Sequence, residues 1–318
     1  MIRLTAAVLS ALAVACTAGP PAGAEGAEGQ EIPPEAAEPA VERQPVAAEP
    51  EDWGIAESKV RWAREPARDS LPFGELIGAL GETFLGTAYE PRTLEVEGPE
   101  RLVVNLRALD CVTFVENVLA LSRLARTAPA DVLADSVRFR AAFQKELTAL
   151  RYREGRLRGY ASRLHYFSEW LYDNESKGIV DHLTDQMGGS VDPEPIDFMS
   201  THPEAYRQLA DERVLSAIAQ IEARLGAVER FVIPAEEIEE RAHLIRTGDI
   251  IAATSTVPGL DVAHTGIAVW KDGVLRLLHA PLVGSSVELS EVSLAERIAS
   301  IVGQDGIMVA RPIEPEAS

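Results

Sequence analysis

Cysteine is nearly absent from this chain: 318 residues contain two, Cys16 and Cys111. No cysteine pair exists beyond residue 16, so whatever folds there must be stable without a disulfide. Paired cysteines and a His-Glu-x-x-His run are also missing, and the six histidines are scattered, which argues against a metal centre. No Gly-x-Ser-x-Gly elbow is present, so a serine hydrolase triad is disfavoured. No segment reaches the roughly 20 consecutive apolar residues that a membrane-spanning helix needs. Excess positive charge is lacking too. The formal net charge is −20, which argues against a nucleic-acid partner.

Residues 1–16, "MIRLTAAVLSALAVAC", begin with one arginine followed by a short apolar run and the small residues Ala13 and Ala15. This pattern reads as a secretory signal rather than as structure. Its end, "LAVAC", resembles a bacterial lipoprotein processing box, which would put a lipid on Cys16; ordinary signal cleavage just beyond Cys16 is the alternative. Residues 17–52 hold seven prolines, nine acidic residues and one arginine. Such a composition cannot bury a core and predicts an extended tether. Residues 53–318 then form one large domain.

Within that domain, helical spacing is predicted after Asp69 and Ser70, from Cys111, through "SVRFRAAFQKELTAL" and through "YFSEWLYDN". "RLVVNL" (residues 101–106) reads as a short strand. Residues 185–204 contain two glycines and three prolines with little periodicity, and are expected to form a long loop or insertion. After residue 245 short β-rich runs dominate: "GDIIAATS", "AHTGIAVW", "VLRLLHAP", "SSVELS" and a closing "GIMVARPI". Helices first and antiparallel strands afterwards make an α+β plan.

The chemistry centres on "LDCVTFVEN". Asp110 is a favoured N-cap, so Cys111 would be the first residue of an amphipathic helix with Phe114 and Val118 on its buried face. The positive end of a helix favours a thiolate, the reactive form. Position alone leaves nucleophile and packing residue as equal alternatives.

A cysteine nucleophile needs a base. In "VWKDGVLRLLH" the pair Asp272-Gly273 is a strong hairpin signal. With those residues at the turn, Lys271 pairs with Val274 and Gly266 stands opposite His279. His264 and His279 then share one face as diagonal neighbours about 7–8 Å apart. A bulge beside the turn would place them on opposite faces. Either histidine alone is an ordinary half-buried strand residue. Both on one face, in a chain with a helix-capping cysteine, favour function.

"LDCVTFVENVLAL", followed by "GDIIA", "HTGIAVW" and "LLHA", resembles the NlpC-type superfamily of papain-like cell-wall cysteine hydrolases. With Val112-Thr113 after Asp110-Cys111, and with "RLHYFSEWLYDN", "IDFMSTHPEAY" and "GIMVARP", it is similar to the N-acetylmuramoyl-L-alanine amidase-like branch. The resemblance implies a papain-like α+β fold, Cys111 as nucleophile, His264 as base and acid, and His279 as the orienting residue. It also implies a role for Asp110 in substrate binding, beside its cap. No cofactor or metal is implied. The expected substrate is peptidoglycan or a muropeptide, cut between N-acetylmuramic acid and L-alanine; cleavage within the stem peptide and wall binding without catalysis are the alternatives. The expected location is the exported cell envelope, the periplasm, on a membrane anchor through Cys16. Residues 151–167 carry five arginines and His165. Arg163, His165 and Tyr166, within the family-like run, are assigned to a substrate cleft because arginine binds carboxylates and tyrosine packs on sugars.

Overall fold

A computed structural model describes residues 46–282 and 285–316. The predicted signal, Cys16 and most of the predicted tether lie outside the described residues.

The chain enters as strand β1 (Val46–Ala48) and helices α1 (Pro50–Ala63), α2 (Pro66–Asp69) and α3 (Phe73–Glu82). The tether was expected to reach residue 52, and this boundary is corrected. β1 pairs in parallel with Leu102–Val104, and Asp52 is fully buried. The Asp52 carboxylate accepts from the Leu106 amide at 2.9 Å and from the Arg107 guanidinium at 3.0 Å, and also closes a capping box with Glu49. Proline and acidic residues are compatible with a first helical turn as well as with a tether, so composition alone misplaced the boundary.

Strands β2 (Ala88–Tyr89), β3 (Leu102–Val104) and β4 (Ala108–Leu109) lead into helix α4 (Cys111–Thr127). After it come α5 (Ala130–Ala134), α6 (Ser136–Arg151) and α7 (Phe167–Ser176). An amphipathic α4 was expected, but it is enclosed almost all round, from Thr113 to Ala125 with the exception of Arg123. It packs against α1, α3, α6 and the main sheet, so even Glu116, Asn117 and Ser122 are buried. Ser122 donates to the Val118 carbonyl and the Asn117 amide nitrogen to that of Thr113, both at 2.8 Å, while Glu116 pairs with Arg151 of α6.

The main sheet assembles from β5 (Val180–His182), β6 (Ser190–Asp192), β7 (Arg230–Pro234), β8 (Ile250–Ser255), β9 (Val262–Lys271), β10 (Val274–His279), β11 (Glu288–Leu289) and β12 (Gln304–Pro312). Among the described residues it runs β11-β10-β9-β8-β12-β7-β6, with β5 also on β12, and its pairs are antiparallel. Helices α3 and α4 cover one face of this antiparallel sheet and short helices bearing Ile238, Leu294 and Ile298 cover the other, an α+β fold. Residues 185–204 are not a featureless loop: β6 pairs with β7, Asp192 holds Arg230 at 2.7 Å, and α8 (Phe198–Thr201) follows. Three-residue strands among glycines and prolines carry too short a period to be read from sequence. Helices α9 (Glu212–Leu225), α10 (Ile238–Arg241) and α11 (Leu294–Ala299) complete the chain.

Helix α3 lies close to the sheet through three glycines: Gly74 meets the backbone of the turn before β8, while Gly78 and Gly81 make room for the side chains of Thr247 and Leu278. A Cβ at Gly74 would stand 2.4 Å from the Thr247 carbonyl oxygen, and Gly248, at φ +89°, leans on Gly74 in return. Backbone meets backbone there, so neither side can yield. Gly54 in α1 has nothing within 4 Å of its missing Cβ. Opposite outcomes are therefore expected in chemical denaturation. Gly74→Ala should lower the unfolding free energy by about 1–3 kcal/mol through overpacking. Gly54→Ala should raise it by about 0.5–1 kcal/mol through helix propensity.

Candidate functional site

Cys111 begins α4 because Asp110 caps it. The Asp110 carboxylate accepts from the Thr113 amide and from the Thr113 hydroxyl, each at 2.8 Å, while the Asp110 amide donates back to that hydroxyl at 2.9 Å. Threonine thus closes the capping box from the position where glutamate is more usual. The Asp110 carbonyl accepts the Phe114 amide as the helix begins. The Cys111 amide belongs to the first turn, which has no intrahelical acceptor.

The Asp272-Gly273 turn has both residues at positive φ, +53° and +77°, as a tight hairpin turn of the primed kind requires. Lys271 pairs with Val274 and the register runs without slip to Ile267 opposite Leu278, which continues to Gly266 beside His279. A side chain at Gly266 would collide with Leu277 and the Leu278 carbonyl. Across that empty position His264 Nε2 meets His279 Nδ1 at 2.8 Å, the rings 4.9 Å apart and nearly perpendicular. The structure therefore brings the two histidines together.

Thr265, the residue after His264, is where Cys111 meets the sheet: the Thr265 amide and hydroxyl both face the sulfur. No hydrogen bond joins Cys111 to His264 directly among the described residues. His264 Nδ1 carries no hydrogen bond and is not among the sealed polar atoms. It is the nitrogen left available.

The electrostatics differ from the expectation of a thiolate. Burial, together with the Asp110 charge, pushes the Cys111 thiol up to about 11, against the lowering effect of the Thr265 groups and the Val112 amide. Burial and the nearby Arg297 hold His264 down to about 4; burial, His264 and Arg297 hold His279 down to about 3. At neutral pH the site contains a thiol and two uncharged imidazoles.

A cavity of about 510 Å³ opens beside the capping turn, lined by Asp110, Val112, Glu116, Arg163, His165 and Tyr206 with neighbouring residues. Arg163 borders it but is already engaged, pairing with Glu95 and lying 3.7 Å from Glu100 while donating to the Leu94 carbonyl. Its place is that of a strut under the 94–100 segment. His165 reaches the cavity with its Nε2 on the Tyr160 carbonyl at 2.9 Å, and burial keeps it well below the usual histidine range. Tyr166 does not line the cavity. Its buried hydroxyl donates to Glu222 at 2.7 Å and accepts the Met199 amide at 2.9 Å, tying α7 to α9 and α8.

Four residues beside the site escaped the sequence reading. Tyr89, near Cys111 and Asp110, is pushed up to about 12 chiefly by burial. Thr265 could have been noticed as the neighbour of His264. Glu288 and Arg297 come from β11 and α11, where no motif marks them. Groups of three or more metal-ligating side chains are absent among the described residues.

Residues 79–304 match the family described as AmiA-like, N-acetylmuramoyl-L-alanine amidase-like. A crystal structure of an N-acetylmuramoyl-L-alanine amidase from Bacteroides uniformis ATCC 8492 is 34% identical, with 76% of this chain and 99% of that chain covered and a TM-score of 0.69. A Bacteroides fragilis protein carrying the provisional description xylanase is also 34% identical, over 73% of this chain and 98% of its own, at a TM-score of 0.66. A Legionella pneumophila protein, 20% identical over 83% of this chain and 96% of its own, shares the fold at a TM-score of 0.57. No curated protein matches. With its capped helix and paired strand histidines inside the matched residues, this chain belongs to the N-acetylmuramoyl-L-alanine amidase-like family.

Proposed function

We propose that the protein is a papain-like, NlpC-type cysteine amidase that hydrolyses the bond between the lactyl group of N-acetylmuramic acid and L-alanine in peptidoglycan or its muropeptides. The observation that carries this reading is the 2.8 Å bond between His264 and His279, next to the residue against which Cys111 packs. In this reading His264 Nδ1 takes the Cys111 proton as sulfur attacks the amide carbonyl. The resulting oxyanion is stabilised by the free Cys111 amide at the helix start. His264 then protonates the departing amine, and the thioester is hydrolysed by a water that the same imidazole activates. The cavity bounded by Asp110, Val112 and His165 opens beside the capping turn that precedes Cys111, and in this reading it receives the stem peptide. Substrate contacts through Asp110 and His165 fit that placement, with Arg163 shaping the wall.

The same reading places the protein in the exported cell envelope, with residues 1–16 as signal and Cys16 lipidated. Metabolic lipid labelling should mark the wild type and not Cys16→Ser. Equal labelling of both would remove the anchor.

Digestion of a defined muropeptide, followed by mass spectrometry, tests the reaction. Wild type should release the intact peptide from the sugar and Cys111→Ala should release none. Equal digestion by both would remove the cysteine mechanism, and products cut inside the peptide would make the enzyme a peptidase.

The pH profile tests the neutral resting state. As His264 loses its proton through about pH 4, kcat/KM should rise. It should then stay level on the alkaline side until the thiol ionises near 11. A preformed thiolate–imidazolium pair would instead lose activity as its imidazolium deprotonates, so an alkaline limb close to neutrality would overturn the assignment.

A further inference from the structure

His279 Nε2 is buried and has no hydrogen-bond partner. On the next strand Glu288 stands directly opposite His279 in register, with Oε1 3.7 Å from that nitrogen. The Glu288 side chain is about half exposed, at 53%, while that of His279 is sealed at 1%. A carboxylate is therefore delivered from the surface to the buried, unpartnered nitrogen of the histidine pair.

We propose that Glu288 is a positioning residue that selects the tautomer of both histidines and so leaves His264 Nδ1 with its lone pair. This rests on the reading of His264 as the base. One proton lies between His264 Nε2 and His279 Nδ1, and with both rings neutral two arrangements are possible. If His279 carries its proton on Nε2, facing Glu288, its Nδ1 must accept from His264 Nε2–H. His264 then presents an unprotonated Nδ1, able to take the thiol proton. In the reverse arrangement His279 Nδ1–H donates to His264 Nε2, and the His264 proton moves to Nδ1. In that arrangement His264 has no unprotonated nitrogen outside the pair. An acceptor at His279 Nε2 decides between them, and the Glu288 carboxylate, 3.7 Å away, is the group that faces it.

The other charged group facing the pair is Arg297 of α11. Its Nη1 is buried without a partner, and its charge opposes protonation of either ring. Burial, with the Arg297 charge adding to it, keeps the histidines neutral, which is the condition under which a tautomer choice exists. Glu288 also favours the charged form of Arg297. The groups facing the pair come from β9, β10, β11 and α11.

Long-range 1H–15N spectra of the full-length protein labelled in histidine read the tautomers directly. In wild type at neutral pH, His264 and His279 should both appear as Nε2–H forms. Glu288→Leu should shift His264 toward the Nδ1–H form and lower kcat on a defined muropeptide by about 10- to 100-fold, the range for losing a histidine's outer hydrogen-bond partner. KM should change little. Glu288→Asp, which retains a carboxylate, should recover the wild-type tautomer and part of the rate. An Nδ1–H form of His264 in wild type overturns the proposal without any variant. So does a Glu288→Leu protein whose tautomers and kcat match wild type. Wild-type tautomers as expected with no muropeptide cleavage would instead count against the amidase reading alone.

Discussion

The candidate site depends on the register of one hairpin. Side chains alternate faces along a strand, so a slip of one residue between β9 and β10 would put His264 and His279 on opposite sides of the sheet. Asp272 and Gly273 prevent it by closing a two-residue turn at positive φ, whose twist matches that of the flanking strands. Gly266 then matters as an empty position: a side chain there would collide with Leu277 and the Leu278 carbonyl beside the rings. The bulge that does occur in β9 falls at its other pairing, with β8 beyond His264, and leaves the histidine pair untouched.

Against this rigid pair the helix supplies Cys111. Its position suggests an activated thiolate, yet a helix end contributes only about 0.3–1 kcal/mol in favour of an anion. Taking an ion out of water costs several kcal/mol, and the capping carboxylate adds repulsion. Asp110 thus plays two opposed parts: it fixes where the helix starts, and it keeps the sulfur protonated. In the proposed reading a neutral thiol is served by a neutral base, provided that base presents the correct nitrogen. That requirement gives the Glu288–His279–His264 sequence of contacts its meaning.

Beneath the cavity a buried set of ion pairs holds the wall. Glu116 of α4 binds Arg151 at 2.7 Å with both side chains about 2% exposed, and Arg151 also donates to the Val103 carbonyl at 2.6 Å. Arg163 joins Glu95 and Glu100, and Tyr152 reaches Glu100 at 2.9 Å. Burial alone would drive Glu116 and Glu100 toward the protonated form, and the arginines oppose it. Such pairs contribute little net stability compared with an apolar replacement, but losing one partner would strand a charge. They fix the 94–103 segment in one place relative to α4 and α6.

What the sequence determined by itself was local. Asp110 before an apolar period started a helix at Cys111, and Asp-Gly between alternating strands set a register, because both signals act over a few residues of backbone. Helices near 73, 136 and 167 and the strands after 245 followed from the same short-range periodicity. Tertiary structure alone decided what lies across the chain from these elements. Enclosure of α4 made Glu116 a buried ion, and pairing of Val46–Ala48 with Leu102–Val104 moved the start of the fold upstream. Contact with α9 took Tyr166 away from the cavity, and strand pairing turned part of residues 185–204 into sheet. Glu288 and Arg297 reach the histidines from strands and helices with no motif of their own. Burial and electrostatic field depend on every neighbour in space, and so the charge state of the site could be read only after the chain had folded.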